Sequence, residues 1–80
     1  MKNSIMKAEL KLFEDCPIIH QTIEEVENKF GIKVTGYCNP HPSIENRKEP
    51  GSDFKLYPKI YIFVEGTFEK MHNFTQKIYG

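Results

Sequence analysis

The chain has 80 residues, the size of one small domain near the lower limit of what a single hydrophobic core can stabilise. Its 11 basic residues balance its 11 acidic residues, so no overall field steers it towards nucleic acid, and any such binding needs a local patch. Two cysteines are too few for a disulfide-dense secreted scaffold. With no apolar run of membrane-spanning length and no signal peptide, we expect a cytoplasmic protein. The lysine- and isoleucine-rich composition, with one arginine and one alanine, suggests a low-GC bacterium or one of its phages.

Residues 5–13 alternate between apolar and charged side chains, which predicts a first β-strand, although a short helix could also be drawn through this charge-rich stretch. One predicted face is apolar and carries Met6, Ala8, Leu10 and Leu12. The other face carries Lys7, Glu9 and Lys11.

A helix is predicted over roughly residues 16–30. Asp15 or Cys16 would cap it, and Pro17 would occupy its first turn, where a missing N–H costs nothing. Gly31 would end it. The stripe that would pack on a sheet consists of Ile19, Ile23, Val26 and Phe30.

Residues 32–38 read as a second strand, followed by a long polar loop over residues 39–55. In the strand, Ile32, Val34, Gly36 and Cys38 would share one face, and Lys33, Thr35 and Tyr37 the other. A loop of this length in so small a domain is either functional or disordered.

Residues 57–65 form the most regular alternating stretch and predict the central strand, with Pro58 restricting its regular ladder to the part that follows. Its aliphatic face would carry Ile60, Ile62 and Val64, and its aromatic face Tyr57, Lys59, Tyr61, Phe63 and Glu65. Thr67 would then cap a last helix. The apolar stripe of that helix would contain Phe68, Met71, Thr75 and Ile78, with Phe74 and Tyr79 at its edges.

The predicted order β-α-β-β-α defines an α+β fold with a three-stranded sheet in the order 1-3-2. A right-handed crossover through the first helix makes strands one and two parallel, and the third strand fits between them. This is a ferredoxin-like arrangement that lacks its fourth strand, with both helices on one face of the sheet. The residues predicted to be buried beneath the helices are Met6, Leu10, Leu12, Ile32, Val34, Ile60, Ile62 and Val64.

The other face of the sheet would have no helix to cover it. It would gather aromatic and lysine side chains, namely Lys7, Lys11, Phe13, Lys33, Tyr37, Tyr57, Lys59, Tyr61 and Phe63, beside Glu9 and Glu65. Arg47 and Lys48 in the long loop add further basic groups that could touch phosphate or an acidic partner. Exposed apolar faces of this kind are most often protein interfaces, so a protein partner or a homodimer is the leading interpretation. The unpaired edge of the first strand also invites pairing with another strand or coverage by the long loop.

RNA or single-stranded DNA is the second interpretation, because aromatic rings interleaved with lysines hold bases by stacking and phosphates by charge. The stretch from Lys59 to Val64 resembles part of the octapeptide motif on the third strand of RNA-recognition-motif domains. That resemblance implies that Lys59, Tyr61 and Phe63 contact bases. The sequence departs from the motif where Ile60 and Ile62 replace small residues and Gly66 replaces the last aromatic, so the chain is not assigned to that family.

The remaining chemical candidates are two cysteines and two histidines. Cys16 and His20, four residues apart on the predicted helix, could join Cys38 and His41 in a tetrahedral zinc site. Cys16 at a helix N-terminus could also be a reactive thiolate, with His20 as its base. Buried cysteines and surface histidines are the simpler reading, so the sequence predicts no metal, no cofactor and no catalytic residue, and the chain is interpreted as a non-enzymatic binding module.

Overall fold

The structure, a computed structural model, describes residues 4–39 and 47–80. In these ranges it contains β1 (Ile5–Lys11), α1 (Ile23–Phe30), β2 (Lys33–Cys38), β3 (Tyr61–Thr67) and α2 (Phe68–Tyr79). The strands form one sheet in the order β1-β3-β2, with β3 antiparallel to both neighbours. The predicted α+β fold and strand order are confirmed, and they are consistent with a ferredoxin-like variant that lacks its fourth strand. No helix in the described ranges is long and apolar enough to cross a bilayer.

Both helices cover the aliphatic face of the sheet. Ile62 and Val64 of β3 are buried together with Met71 and Phe74 of α2 and with Val26 of α1. The predicted core is therefore correct in its main part, and the buried strand and adjoining residues are Leu12, Ile32, Val34, Ile60, Ile62 and Val64.

Met6 and Phe68 were predicted to contribute to the apolar packing, and both are exposed. Met6 is 42% exposed, and its cross-strand partner near the end of the β1–β3 ladder is Gly66, which has no side chain to pack beside it. Phe68 is the first residue of α2 and is 67% exposed, whereas Phe74 is fully buried and forms an edge-to-face pair with Phe30. The buried stripe of α2 is thus Met71, Phe74 and Ile78.

Helix α1 begins seven residues later than the predicted residue 16. Thr22 caps it with a capping box, in which the Thr22 hydroxyl accepts the backbone N–H of Glu25 and the Glu25 carboxylate accepts that of Thr22. Gly31 ends the helix at φ 69°, in the left-handed region that favours glycine, and its N–H donates to the Glu27 carbonyl. The predicted end of the helix is correct, and its predicted start and cap are wrong.

Long-range pairing explains the late start. The segment before α1 hydrogen-bonds to the chain that precedes β3: the His20 N–H donates to the Leu56 carbonyl (2.7 Å), and the Leu56 N–H donates to the Gln21 carbonyl (2.9 Å). His20 has φ 74°, which a right-handed helix cannot contain. The end of the predicted 39–55 loop and the fully buried Leu56 that follows it are therefore anchored to the segment around the start of α1.

The central strand also begins later than predicted, at Tyr61. Pro58 has no N–H to donate, and Lys59 has φ 73°, so the chain leaves extended geometry before the regular ladder starts. Leu12 nevertheless pairs with this segment, because its N–H donates to the Ile60 carbonyl (2.9 Å) and its carbonyl accepts the Lys59 N–H (2.7 Å).

A β-bulge in β2 overturns the predicted alternation of that strand. Val34 lies opposite Val64, but Gly36 lies opposite Phe63, so Thr35 is an extra residue. Each later side chain therefore points to the face opposite the one that strict alternation predicts. Tyr37, opposite Ile62, packs against the core on the helix side, and Cys38, opposite Tyr61, lies on the other side.

Candidate functional site: the helix-free face of the sheet

The face of the sheet opposite the helices is built from three rows of side chains across β1, β3 and β2. The end row is Lys7, Glu65 and Lys33; the middle row is Glu9, Phe63 and Gly36; the last row is Lys11, Tyr61 and Cys38. We call this surface the open face. The strand register places the rings of Tyr61 and Phe63 at its centre, as the sequence predicted, and each ring is partly buried.

A cation lies over each central ring. The Lys11 Nζ is 5.9 Å from the centroid of the Tyr61 ring, and the Arg47 Cζ is 4.8 Å from the centroid of the Phe63 ring. Both distances are within the range of cation–π attraction. With Lys7 and Lys33, the open face carries four basic groups, against the two acidic groups Glu9 and Glu65.

Arg47 is held in place by β2. Its Nη2 donates to the Thr35 hydroxyl (2.8 Å) and to the Thr35 carbonyl (3.3 Å). A Cβ at Gly36 would stand 2.5 Å from the Arg47 Nε, so only glycine lets the arginine side chain cross the strand at this point. The extra residue Thr35 therefore supplies hydrogen-bond acceptors for the Arg47 guanidinium, and the missing side chain of Gly36 leaves space for it.

Two predicted binding residues lie in a different cluster. The Tyr37 ring stacks on Phe54 with centroids 4.4 Å apart, and Phe54 is 6.0 Å from Tyr57. The bulge moves Tyr37 to the helix side, so the prediction that Tyr37 belongs to the same surface as Tyr61 is wrong. Tyr57 lies beside Phe54 in this second cluster. Lys48 pairs with the backbone of Tyr37 at the outer edge of β2, and its side chain is exposed.

A shallow depression adjoins the Lys11 end of the open face. Lys11, Phe13 and Lys59 line it together with Glu14 and Asp15. The Phe13 ring is half exposed, with Lys11 Nζ 5.8 Å from its centroid. Lys59 thus lies near the open face, although it precedes β3.

Tyr79 of α2 closes the same end of the sheet. Its ring meets Phe13 edge to face at 6.1 Å, and its hydroxyl donates to the Lys11 carbonyl (2.7 Å). Burial raises the pKa of the Tyr79 phenol, with a further increase from the nearby Cys16, and the bond to Lys11 acts in the opposite direction. Sequence reasoning placed Tyr79 only at the edge of a helical stripe and did not consider Phe54, because contacts between distant segments leave no periodic signal.

The three candidates in the described parts of the chain, Cys16, His20 and Cys38, do not form a metal-binding cluster. Cys16 is packed in the core, His20 is exposed before α1, and Cys38 is buried on the open-face side of the sheet. Across residues 4–39 and 47–80, no three His, Cys, Asp or Glu side chains are arranged to hold a metal ion. His41 lies outside the described residues.

The structure also removes the basis for an activated thiolate at Cys16. The predicted i, i+4 helical relation to His20 is wrong, because α1 begins at Ile23. Cys16 is therefore not at a helix N-terminus. Burial raises the pKa of its thiol, the backbone bond at Ile18 lowers it, and the charge of Asp15 raises it further.

Comparison with known proteins does not add a functional assignment. No model of a known protein family matches the chain, and no curated protein matches it in sequence.

Proposed function

We propose that this chain is a small, non-catalytic binding protein of the cytoplasm that captures a protein partner through its open face. The observation that carries the proposal is the pair of rings, Tyr61 and Phe63, on the side of the sheet opposite both helices, each beneath a cation. Partly exposed aromatic rings supply the apolar centre of a protein interface, and arginine and tyrosine are common at its hot spots.

The charge of the open face defines the partner that fits it. Lys7, Lys11, Lys33 and Arg47 outnumber the two acidic groups there, so we infer that the partner presents carboxylates around an apolar or aromatic side chain. Such a small module suits an inhibitor or adaptor of the phage or accessory-gene type. Zinc or thiol chemistry is not part of the proposal, since the described cysteines and His20 are separated.

Single-stranded RNA or DNA is the second candidate. Tyr61 and Phe63 alternate along the central strand beside Lys11 and Arg47, an arrangement that suits base stacking and phosphate contacts. The position of Arg47 favours the protein partner, because the guanidinium occupies the Phe63 ring face on which a base would stack.

A peptide library with unbiased sequences tests the proposal. Binders selected on the purified protein should be rich in Asp and Glu with an apolar anchor, and Phe63→Ala and Tyr61→Ala should each weaken their binding about tenfold or more. Phe68→Ala is the matched control, since this exposed ring lies on α2, away from the open face. Circular dichroism would verify that each variant is folded.

A labelled single-stranded oligonucleotide, titrated at several salt concentrations, separates the two candidates. Binding that appears only with the oligonucleotide and weakens steeply with salt would favour nucleic acid. Peptide binding that survives both open-face substitutions, or binding to neither probe, would overturn the role of this face.

A further inference from the structure

The two edge strands of the sheet, β1 and β2, differ in how many of their outward backbone groups are hydrogen-bonded by other described residues. At the β2 edge, the Val34 N–H donates to the Glu27 carboxylate (2.9 Å), and Tyr37 exchanges two backbone bonds with Lys48 (2.9 Å each). Arg47 donates to the Thr35 carbonyl at the same edge. This edge is therefore covered by side chains and by a short piece of backbone.

The β1 edge is not covered in this way. Within the described parts of the chain, β1 pairs with β3 alone. The backbone groups of Leu12 point towards β3, since they bond to Ile60 and Lys59. Because backbone groups alternate along an antiparallel ladder, those of Ile5, Lys7, Glu9 and Lys11 point outward.

Tyr79 closes one end of this outward row. Its hydroxyl donates to the Lys11 carbonyl, as expected for an outward-facing group. The open part of the edge is therefore the stretch around Lys7 and Glu9. An edge strand with outward N–H and C=O groups is a template for another strand.

The side chains of β1 determine which strand fits. In an antiparallel pair of two β1 copies, outward-facing residues must lie opposite each other and exchange both backbone bonds. A register that pairs Lys7 with Lys7, or Glu9 with Glu9, places like charges directly opposite, which is destabilising. A register that pairs Glu9 with Lys11 needs the Lys11 carbonyl, which already accepts a hydrogen bond from the Tyr79 hydroxyl.

Among the registers that avoid like charges, one also pairs opposite charges, and its four central bonds do not need the Lys11 carbonyl. Its end pairs set Lys11 opposite Ile5, where the Tyr79 bond stands in place of one ladder bond. When Lys7 lies opposite Glu9 of a second copy, symmetry places Glu9 opposite Lys7 as well, and the two-fold axis passes beside Ala8. Two opposite-charge pairs and four backbone hydrogen bonds then form at the centre of the ladder. On the helix side, Met6 lies opposite Leu10 of the second copy, so the exposed Met6 gains an apolar neighbour.

We propose that two copies of this chain pair through β1 in this register and form one continuous six-stranded sheet. The two-fold axis is perpendicular to the sheet, so the helices of both copies lie on the same side. The two open faces then join on the other side. This inference concerns the edge of the sheet and a second copy of the chain, and it does not depend on the identity of the partner of the open face.

Charge reversal tests the register. Sedimentation of the purified protein over a concentration series should show a monomer–dimer equilibrium. Lys7→Glu and Glu9→Lys, each creating two like-charge pairs, should raise the dissociation constant about tenfold or more. The double variant Lys7→Glu/Glu9→Lys restores opposite charges and should return the constant to within about threefold of the original.

Lys77→Glu is the matched control, because it reverses an exposed charge in the last turn of α2 and should leave dimerisation unchanged. Both β1 side chains are exposed, but Lys7→Glu also places a like charge opposite Glu65 of β3, so circular dichroism and urea denaturation check that each variant is folded at the concentrations used. A protein that is monomeric up to about 1 mM would overturn the proposal. So would a double variant that dimerises no better than the single variants, or single variants that dimerise normally.

Discussion

The guanidinium of Arg47 lies over the ring of Phe63, with 4.8 Å between the Arg47 Cζ and the ring centroid. Arg47 precedes Lys48, which pairs with Tyr37 at the outer edge of β2, whereas Phe63 lies on the central strand. The Arg47 side chain crosses β2 at Gly36, which has no side chain. The position of the Arg47 guanidinium on the open face therefore depends on a single glycine, Gly36.

Gly36→Ala should displace Arg47 from Phe63. The new Cβ would overlap the Arg47 side chain, which is flexible enough to move, so we expect a change in stability within about 1 kcal/mol. In NMR spectra, the Arg47 side-chain protons should lose the upfield shift that the Phe63 ring produces. Gly51→Ala is the control, because its Cβ would approach only the Asp53 carboxylate, and an unchanged Arg47 spectrum in Gly36→Ala would contradict the assignment.

Phe74 and Phe68 lie on the same helix and should respond very differently to truncation. Phe74→Ala removes a fully buried ring that packs on Phe30 and should lower the free energy of unfolding by about 3–5 kcal/mol. Phe68→Ala removes an exposed ring and should change it by about 0.5 kcal/mol or less. Urea denaturation of both variants measures the difference, and equal losses would show that the buried face of α2 is assigned incorrectly.

The stacking of Tyr37 on Phe54 should appear as an energetic coupling. Tyr37→Ala should destabilise the protein by about 2 kcal/mol, since a partly buried ring loses less than a fully buried one. A double-mutant cycle with Phe54→Ala should give a coupling of about 0.5–1.5 kcal/mol. The same cycle between Tyr37 and Tyr61 should give almost none, because the β2 bulge puts these rings on opposite faces.

The capping box of α1 should make stability depend on acid pH. Hydrogen bonds from the Thr22 backbone and hydroxyl, in that order, lower the pKa of Glu25 below its ordinary value of 4.5. When folding lowers the pKa of a carboxyl group, the ionised group stabilises the folded protein. This contribution is fully present above the unfolded-state pKa and is lost as the pH falls through the folded-state pKa. The stability difference between the natural protein and Glu25→Gln should therefore shrink as the pH is lowered below about 4.5.

Thr22→Val tests the same cap from its other side. This change removes the hydroxyl acceptor for the Glu25 N–H and should cost about 1 kcal/mol at neutral pH. Thermal unfolding across a pH series measures both effects. A pH-independent difference between Glu25→Gln and the natural protein would show that the carboxylate does not act through the cap.

Local sequence patterns determined the elements and the principal core of this protein. The alternation of Ile62 and Val64 with Tyr61 and Phe63 specified a central strand with one aliphatic and one aromatic face, because neighbouring side chains of a strand point to opposite sides. The Thr67 cap and the Gly31 stop depend on backbone groups only a few residues away, so they too could be read from the chain. The strand–helix–strand order then left few topologies, and the strand order was predicted correctly.

Only the tertiary structure decided which residues share the open face. The extra residue at Thr35 reverses the side of Tyr37, and it reflects register with β3, a partner almost thirty residues away. The pairing of His20 and Gln21 with Leu56 likewise replaced the first turns of the predicted helix with long-range bonds. The periodicity of a sequence indicates which side chains of one helix or strand share a face. It does not report a bulge, a positive φ or a guanidinium over a ring, because these depend on contacts between segments that are far apart in the sequence.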